Sequence, residues 1–214
     1  MPKKTKAIKK TDEGKAWNRK SKPTSYKIDT IPINKSILIV CEGQTEKLYF
    51  ESFPVLGLKV EALDLGGQSK TKLVETTEKI IESSEFDYDE IWCVFDMDYK
   101  NGENEFADFD NAINKSKQLE YKIAYSNDSF ELWFYLHYNK IEAQHLRTFY
   151  YEQLSEKWKI NYERDGKKYT FCLKIYNLLL EDTNSSQEKA IKNAEELYEQ
   201  QKHLTYHLQN PVTT

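Results

Sequence analysis

Two strand-length apolar runs that each end on acidic residues constrain the fold of this chain most. The runs span residues 36–41 (SILIVC) and 91–95 (IWCVF), and they are followed by Glu42 and by Asp96 and Asp98. Continuous apolar runs of this length are typical of strands buried on both faces of a parallel sheet. Because parallel strands end at the same edge of a sheet, the sequence predicts three carboxylates at one edge.

Strand and helix patterns alternate through the first two thirds of the chain. Strand-helix units repeated in this way require right-handed crossovers, so we predict an α/β fold with a Rossmann-like parallel sheet flanked by helices. The predicted strands are 36–41, 58–65, 90–95 and 122–126, and the predicted helices are one after Thr45, then 69–83, 106–119 and 130–137.

From about residue 141 the pattern indicates helices alone. The last predicted helix carries an N-terminal capping box formed by Ser185 and Glu188. We interpret residues 35–140 as the α/β domain and residues 141–214 as a helical extension packed on the same core. The predicted helices are 145–159, 171–180 and 187–208, and residues 162–169 are predicted as a hairpin turn or a mobile loop.

The N-terminal arm, residues 1–34, is basic and lacks a hydrophobic period. The first 36 residues carry eleven Lys or Arg against three Asp or Glu, in a chain whose net charge is −4. A basic arm on an acidic body predicts contact with a polyanion such as nucleic acid. A solvated irregular leader, or an arm folded against its own acidic body, accounts for the same composition.

The cysteine content and the lengths of the apolar runs indicate the compartment. Three cysteines without paired spacing favour a reducing setting without disulfides. No apolar run approaches the roughly 20 residues of a membrane helix, and the lysine-rich start lacks the apolar stretch of a secretory signal. We therefore expect a cytoplasmic protein without a membrane partner.

The acids after the two apolar runs suit a metal-dependent phosphoryl-transfer site. Asp96 and Asp98 share one face of the strand, and paired carboxylates suit Mg²⁺ or Mn²⁺. Glu42 could complete the metal ligands or act as a general acid or base. Gly43 allows close backbone approach, and the helix start after it offers N–H groups to a phosphate. Each residue taken singly is also explained as an ordinary turn or cap residue.

Four further residues are candidates with more than one interpretation. Glu131 either forms a capping box with Asp128 or adds a metal ligand. Lys70 and Asn127 are candidate substrate contacts, since both lie near predicted carboxyl ends of strands. Arg147, beside the aromatic residues 149–151, could help to stack and steer single-stranded bases, whereas core packing explains the same aromatic residues.

Three blocks of the sequence resemble the RloB family, a branch of the Toprim superfamily. They are ILIVCEGQTEKLYF, VFDMD and YSNDSFELWFYLHY, and the resemblance extends from about Ser36 to the last residue. It implies that Glu42, Asp96 and Asp98 hold Mg²⁺ and carry out phosphodiester chemistry. The third block is the most specific, because an Asp-x-Asp motif alone is common.

The resemblance also implies a biological setting. RloB-like proteins are associated with bacterial restriction and phage-defence loci, often beside an ATPase, and this sequence has no phosphate-binding loop of the G-x-x-x-x-G-K-[ST] type. We expect a metal-dependent nuclease acting with a partner ATPase in phage defence or abortive infection. The alternative is a non-catalytic subunit that binds nucleic acid or a partner. DNA or RNA as substrate, and a homo-oligomer, stay open.

Overall fold

The computed structural model describes residues 35–55, 58–62, 69–99 and 103–214. The predicted basic arm and the second half of the predicted strand 58–65 lie outside these residues. Residues 34–214 form one compact unit.

A five-stranded sheet forms the centre of this unit. Its strands are β1 (Ile37–Cys41), β2 (Leu58–Ala62), β3 (Glu90–Asp96), β4 (Lys122–Asn127) and β5 (Val212–Thr213), in the order β2-β1-β3-β4-β5. The first four strands are parallel, and β5 pairs antiparallel with β4. The predicted α/β class is confirmed, whereas β5 was not predicted.

Within the described residues, seven α-helices flank the sheet. None of the helices in the described part of the chain is long and apolar enough to cross a membrane. The helices are α1 (Gln44–Glu51), α2 (Lys70–Glu82), α3 (Glu103–Gln118), α4 (Glu131–Leu136), α5 (Arg147–Trp158), α6 (Tyr169–Glu181) and α7 (Gln187–Gln201).

Alternation along β1 divides the core between the two faces of the sheet. Leu38 and Val40 pack with buried residues of α2 and α3, whereas Ile39 and Cys41 belong to a cluster on the opposite face. This is the period-2 pattern of a strand that is covered on both sides. The buried strand is therefore fixed in register, and its carboxyl end delivers Glu42 to a defined position.

Helices α5 and α6 share a core with α1, the helix that follows β1. Tyr49 of α1 and Phe134 of α4 lie in one buried cluster with Leu154 of α5 and Ile175 of α6. Because α1 begins at the carboxyl end of β1, this packing brings α5 and α6 toward the edge of the sheet where the acidic residues lie.

Two predictions for the extension are wrong. The predicted hairpin or loop around residue 165 contains a single π-helical turn, Tyr162–Gly166, in which a Cβ on Gly166 would overlap the ring of Tyr162. The last helix ends at Gln201, and a separate 3₁₀ turn, Tyr206–Leu208, leads to β5. Both differences depend on contacts that local hydrophobic periodicity does not encode.

The cap of α7 is Ser186 and not the predicted Ser185. The Ser186 hydroxyl accepts a hydrogen bond from the Lys189 N–H at 3.3 Å, whereas the Ser185 hydroxyl has no partner among the described residues. We expect Ser186→Ala to lower the free energy of unfolding by about 1 kcal/mol. Ser185→Ala is the matched control and should change it by less than about 0.5 kcal/mol in urea titrations. The reverse order of the two effects would contradict the assigned cap.

Candidate active site

The acidic residues lie at the carboxyl ends of the neighbouring strands β1 and β3. After β1 the chain forms β2 on one side and β3 on the other, so the crevice at their carboxyl ends is the switch point where open α/β sheets bind ligands. Pairing of Cys41 with Val94 sets Glu42 beside the end of β3. The Asp96 N–H lies 3.4 Å from Glu42 Oε2. The structure thus places Glu42 and Asp96 together.

Two further carboxylates, Glu46 and Glu131, lie close to this pair. Both are buried, with Glu131 only 2% exposed. Burial, followed by the charges of Glu46, Glu131 and Glu42, raises the pKa of Asp96 well above its usual value. Burial and the charges of Glu131 and Glu42 raise the pKa of Glu46 to about 7. Four carboxylates therefore repel one another at this edge of the sheet.

Three basic side chains pair with acids of the site. Lys70 Nζ lies 3.2 Å from Glu42 Oε1, and Lys167 Nζ lies 3.3 Å from Glu131 Oε1. Arg147 reaches Asp98 Oδ1 at 2.7 Å. Asp96 and Glu46 make no ion pair within the described residues, so two of the four carboxylates lack a paired base there.

Glu131 faces this cluster, and the capping-box interpretation is wrong. Helix α4 begins at Glu131 without a side-chain cap. The Asp128 carboxylate instead accepts hydrogen bonds from the backbone N–H groups of Tyr99 and Arg147, both at 3.0 Å. The Tyr162 hydroxyl donates to Glu131 Oε1 at 3.1 Å. Metal binding by Glu131 stays a prediction.

The two aspartates of the Asp-x-Asp motif have different surroundings. Asp98 has a backbone φ of 51°, in the left-handed region that few residues other than glycine adopt, and its N–H donates to the Asp128 carbonyl at 3.3 Å. Its carboxylate pairs with Arg147, whereas that of Asp96 lies among other acids. Of the two aspartates of the motif, Asp98 therefore forms an ion pair and Asp96 belongs to the acidic cluster.

The predicted substrate contacts occupy different positions. A Cβ on Gly43 would lie 2.5 Å from Glu46 Oε2, so a larger residue at this position would displace that carboxylate. Asn127 is fully buried and donates from Nδ2 to the His207 carbonyl at 3.0 Å. Lys70 is largely buried against Glu42. Substrate contact by these three residues stays a prediction.

Sequence reasoning missed Glu46, Lys167 and the pair of Asp128 with Arg147 as parts of the site. Glu46 lies in the first turn of α1, only four residues after Glu42, and this closeness in sequence is a signal that could have found it. Lys167 comes from the π-helical region and has no sequence signal. The base-stacking interpretation of the aromatic stretch is wrong for Tyr150, which is fully buried.

The donor chemistry of the cluster fits a hard divalent cation. Glu42, Glu46, Asp96 and Glu131 offer only oxygen ligands, which Mg²⁺ and Mn²⁺ prefer, and a cation would relieve the repulsion that raises the pKa of Asp96. Within the described part of the chain, no three His, Cys, Asp or Glu side chains are yet arranged as a metal-binding group. The residues fit such an ion in kind, and its binding requires side-chain movement.

The raised pKa of Glu46 predicts a pH-dependent stability. The folded protein holds a proton on Glu46 up to a pH of about 7, whereas the unfolded chain releases it near pH 4.5, so stability falls as the pH rises between these values. In EDTA at pH 8, Glu46→Gln should raise the free energy of unfolding by about 3 kcal/mol, with little effect at pH 4. Urea titrations at both values would measure this. Glu152→Gln, at an exposed position, is the control. An equal gain in the free energy of unfolding of Glu46→Gln at pH 4 would show that the raised pKa of Glu46 is not its cause.

Comparison with protein families gives a match over most of the chain. A family model described as RloB-like protein matches residues 37–214, which include every site residue from Glu42 to Lys167. No curated protein and no solved structure matches the chain.

Proposed function

This chain belongs to the RloB-like protein family, and on that basis we propose that it is a metal-dependent nuclease that hydrolyses phosphodiester bonds. One observation carries the proposal. Carboxylates of Glu42, Glu46 and Glu131 all act on Asp96 at the switch point of the sheet. Such a cluster is costly without a cation, and perturbed acids in a crevice are typical of catalytic sites.

If the RloB-like family is a branch of the Toprim superfamily, as we propose, the acids have specific roles. We propose that Asp96, with Glu42 and Asp98, holds Mg²⁺ or Mn²⁺, and that Glu131 adds a ligand. When bound, the ion would polarise the phosphodiester and stabilise the charge that develops on it. Glu46, whose pKa is raised to about 7, is suited to exchange a proton at neutral pH. Lys70 and Lys167 would balance the charge of the substrate.

We propose phage defence or abortive infection as the biological role, with a partner ATPase. The support is the association of RloB-like proteins with such loci and the lack of a phosphate-binding loop motif in this sequence. The partner would supply nucleotide hydrolysis, and this chain would supply the site for nucleic-acid cleavage.

A non-catalytic subunit that binds nucleic acid or a partner is the second candidate. The observation that favours it is the ion pair of Asp98 with Arg147, which occupies the second aspartate of the motif. In that case binding of nucleic acid or of the partner would be independent of metal.

The test is a cleavage assay on the full chain. Plasmid DNA and total tRNA are incubated with the protein in Mg²⁺, Mn²⁺ or EDTA, with and without the neighbouring ATPase. Cleavage that requires the divalent ion supports the nuclease. Metal-independent binding without cleavage under all of these conditions supports the second candidate and contradicts the first.

A further inference from the structure

Arg147 is fixed at the site by Asp128 independently of Asp98. Asp128 is 1% exposed, and Oδ2 of its carboxylate lies 3.0 Å from the Arg147 N–H and 3.4 Å from Nε. The Arg147 Nη2 also lies 3.3 Å from Oδ1 and 3.4 Å from the backbone carbonyl of Asp128. The guanidinium is therefore anchored to one buried residue on several sides.

The same guanidinium also forms the ion pair with Asp98. The 2.7 Å contact to Asp98 Oδ1 is shorter than its contacts to Asp128, and the Asp98 side chain is about a third exposed. The Asp98 side chain therefore borders solvent, whereas that of Asp128 is enclosed. The hydrogen bonds of Arg147 to Asp128 do not involve Asp98.

We propose that Arg147 is a positioning residue that competes with the divalent cation for Asp98. In the metal-free protein the guanidinium occupies the carboxylate, and a cation must displace it to gain Asp98 as a ligand. Arg147 then keeps its anchor on Asp128 and turns its released N–H groups to an anion, which for the proposed nuclease is a phosphate of the substrate. This inference rests on the proposed function for the identity of that anion alone.

Competition predicts an effect of unusual sign. Arg147 occupies the Asp98 carboxylate and its positive charge repels a cation. The Arg147→Gln variant should therefore bind Mn²⁺ about tenfold more tightly than the unchanged protein, because a nearby charge typically alters a binding equilibrium by this order. A merely structural role predicts the opposite, because loosening a site weakens its metal binding. Mn²⁺ affinity is measured by titration calorimetry on the full chain without nucleic acid.

Two controls separate competition from other effects. Arg164→Gln removes an arginine that is 74% exposed and paired with Asp165, and it should leave Mn²⁺ affinity unchanged. Asp98→Asn should weaken Mn²⁺ binding about tenfold or more, because it removes the carboxylate for which Arg147 and the cation compete. If Arg147→Gln fails to fold because it leaves Asp128 charged and buried, the double variant Asp128→Asn with Arg147→Gln removes both charges and carries the same prediction.

The outcome is distinct from that of the cleavage assay. Two results would overturn the competition. One is Mn²⁺ binding by Arg147→Gln and by the double variant that is no tighter than that of the unchanged protein. The other is that no variant binds Mn²⁺. Metal binding that tightens as expected in a protein that cleaves neither DNA nor RNA overturns the nuclease and leaves the competition standing.

Discussion

Replacing Asp96 with asparagine is expected to reduce metal-dependent cleavage by more than about 100-fold. Mutation of residues that only hydrogen-bond to metal ligands already lowers metal affinity or activity by about 10–100-fold, and Asp96 is proposed as a ligand itself. Burial and then the negative charges of Glu46, Glu131 and Glu42 raise the pKa of Asp96. Asparagine keeps the shape of the side chain but removes the charge that would hold the cation. Initial rates on plasmid DNA and on tRNA in Mg²⁺ and in Mn²⁺ measure the effect.

The same substitution should make the metal-free fold more stable. Burial and three neighbouring acids oppose the charge of Asp96, and no ion pair compensates it among the described residues, so its removal relieves repulsion. We expect Asp96→Asn to melt at a higher temperature than the unchanged protein at pH 8 in EDTA. Loss of activity together with gain of stability is a signature that simple unfolding cannot produce.

A matched control distinguishes the site from the strand. Asp87 is an exposed aspartate that precedes β3 at the opposite edge of the sheet. Asp87→Asn should leave both cleavage and melting temperature nearly unchanged. If Asp96→Asn retained full cleavage, the assignment of a catalytic metal to this cluster would fail.

The sequence predicted the sheet and part of the site for a local reason. A strand such as β3 is encoded by consecutive apolar residues, and the acids that end it follow directly along the chain. Parallel pairing then brings Glu42 and Asp96 to one edge without any further information. The α/β class and the meeting of these two residues were therefore predictable.

The pairing of two basic residues, Arg147 and Lys167, with the acids was not predictable in the same way. Arg147 and Lys167 reach the acids from the helical extension, and their positions depend on the packing of Tyr49 and Phe134 against α5 and α6. The two-residue strand β5 likewise exists because the end of the chain returns to β4. Contacts between residues so distant in sequence leave no periodic signal in either segment.

Removal of Asp128 is expected to cause the largest loss of stability among the site variants. Asp128→Ala should lower the free energy of unfolding by about 3 kcal/mol, the lower end of the range for removing one partner of a buried ion pair, because Asp98 still pairs with Arg147. The Arg147 guanidinium would lose most of its hydrogen-bond acceptors, and the backbone N–H of Tyr99 would lose its carboxylate acceptor. Urea unfolding monitored by tryptophan fluorescence gives the value.

An exposed ion pair provides the comparison for this loss. Asp165 pairs with Arg164 and Lys168 at the surface of the extension, where ion pairs contribute little, so Asp165→Ala should lower stability far less than Asp128→Ala does. Asp128→Asn should lie between the two, because it keeps an acceptor but removes the charge. A loss of under 1 kcal/mol for Asp128→Ala would mean that Arg147 is not anchored as described. Arg147 could then follow Asp98 when the carboxylate moves, and competition with a cation would lose its structural basis.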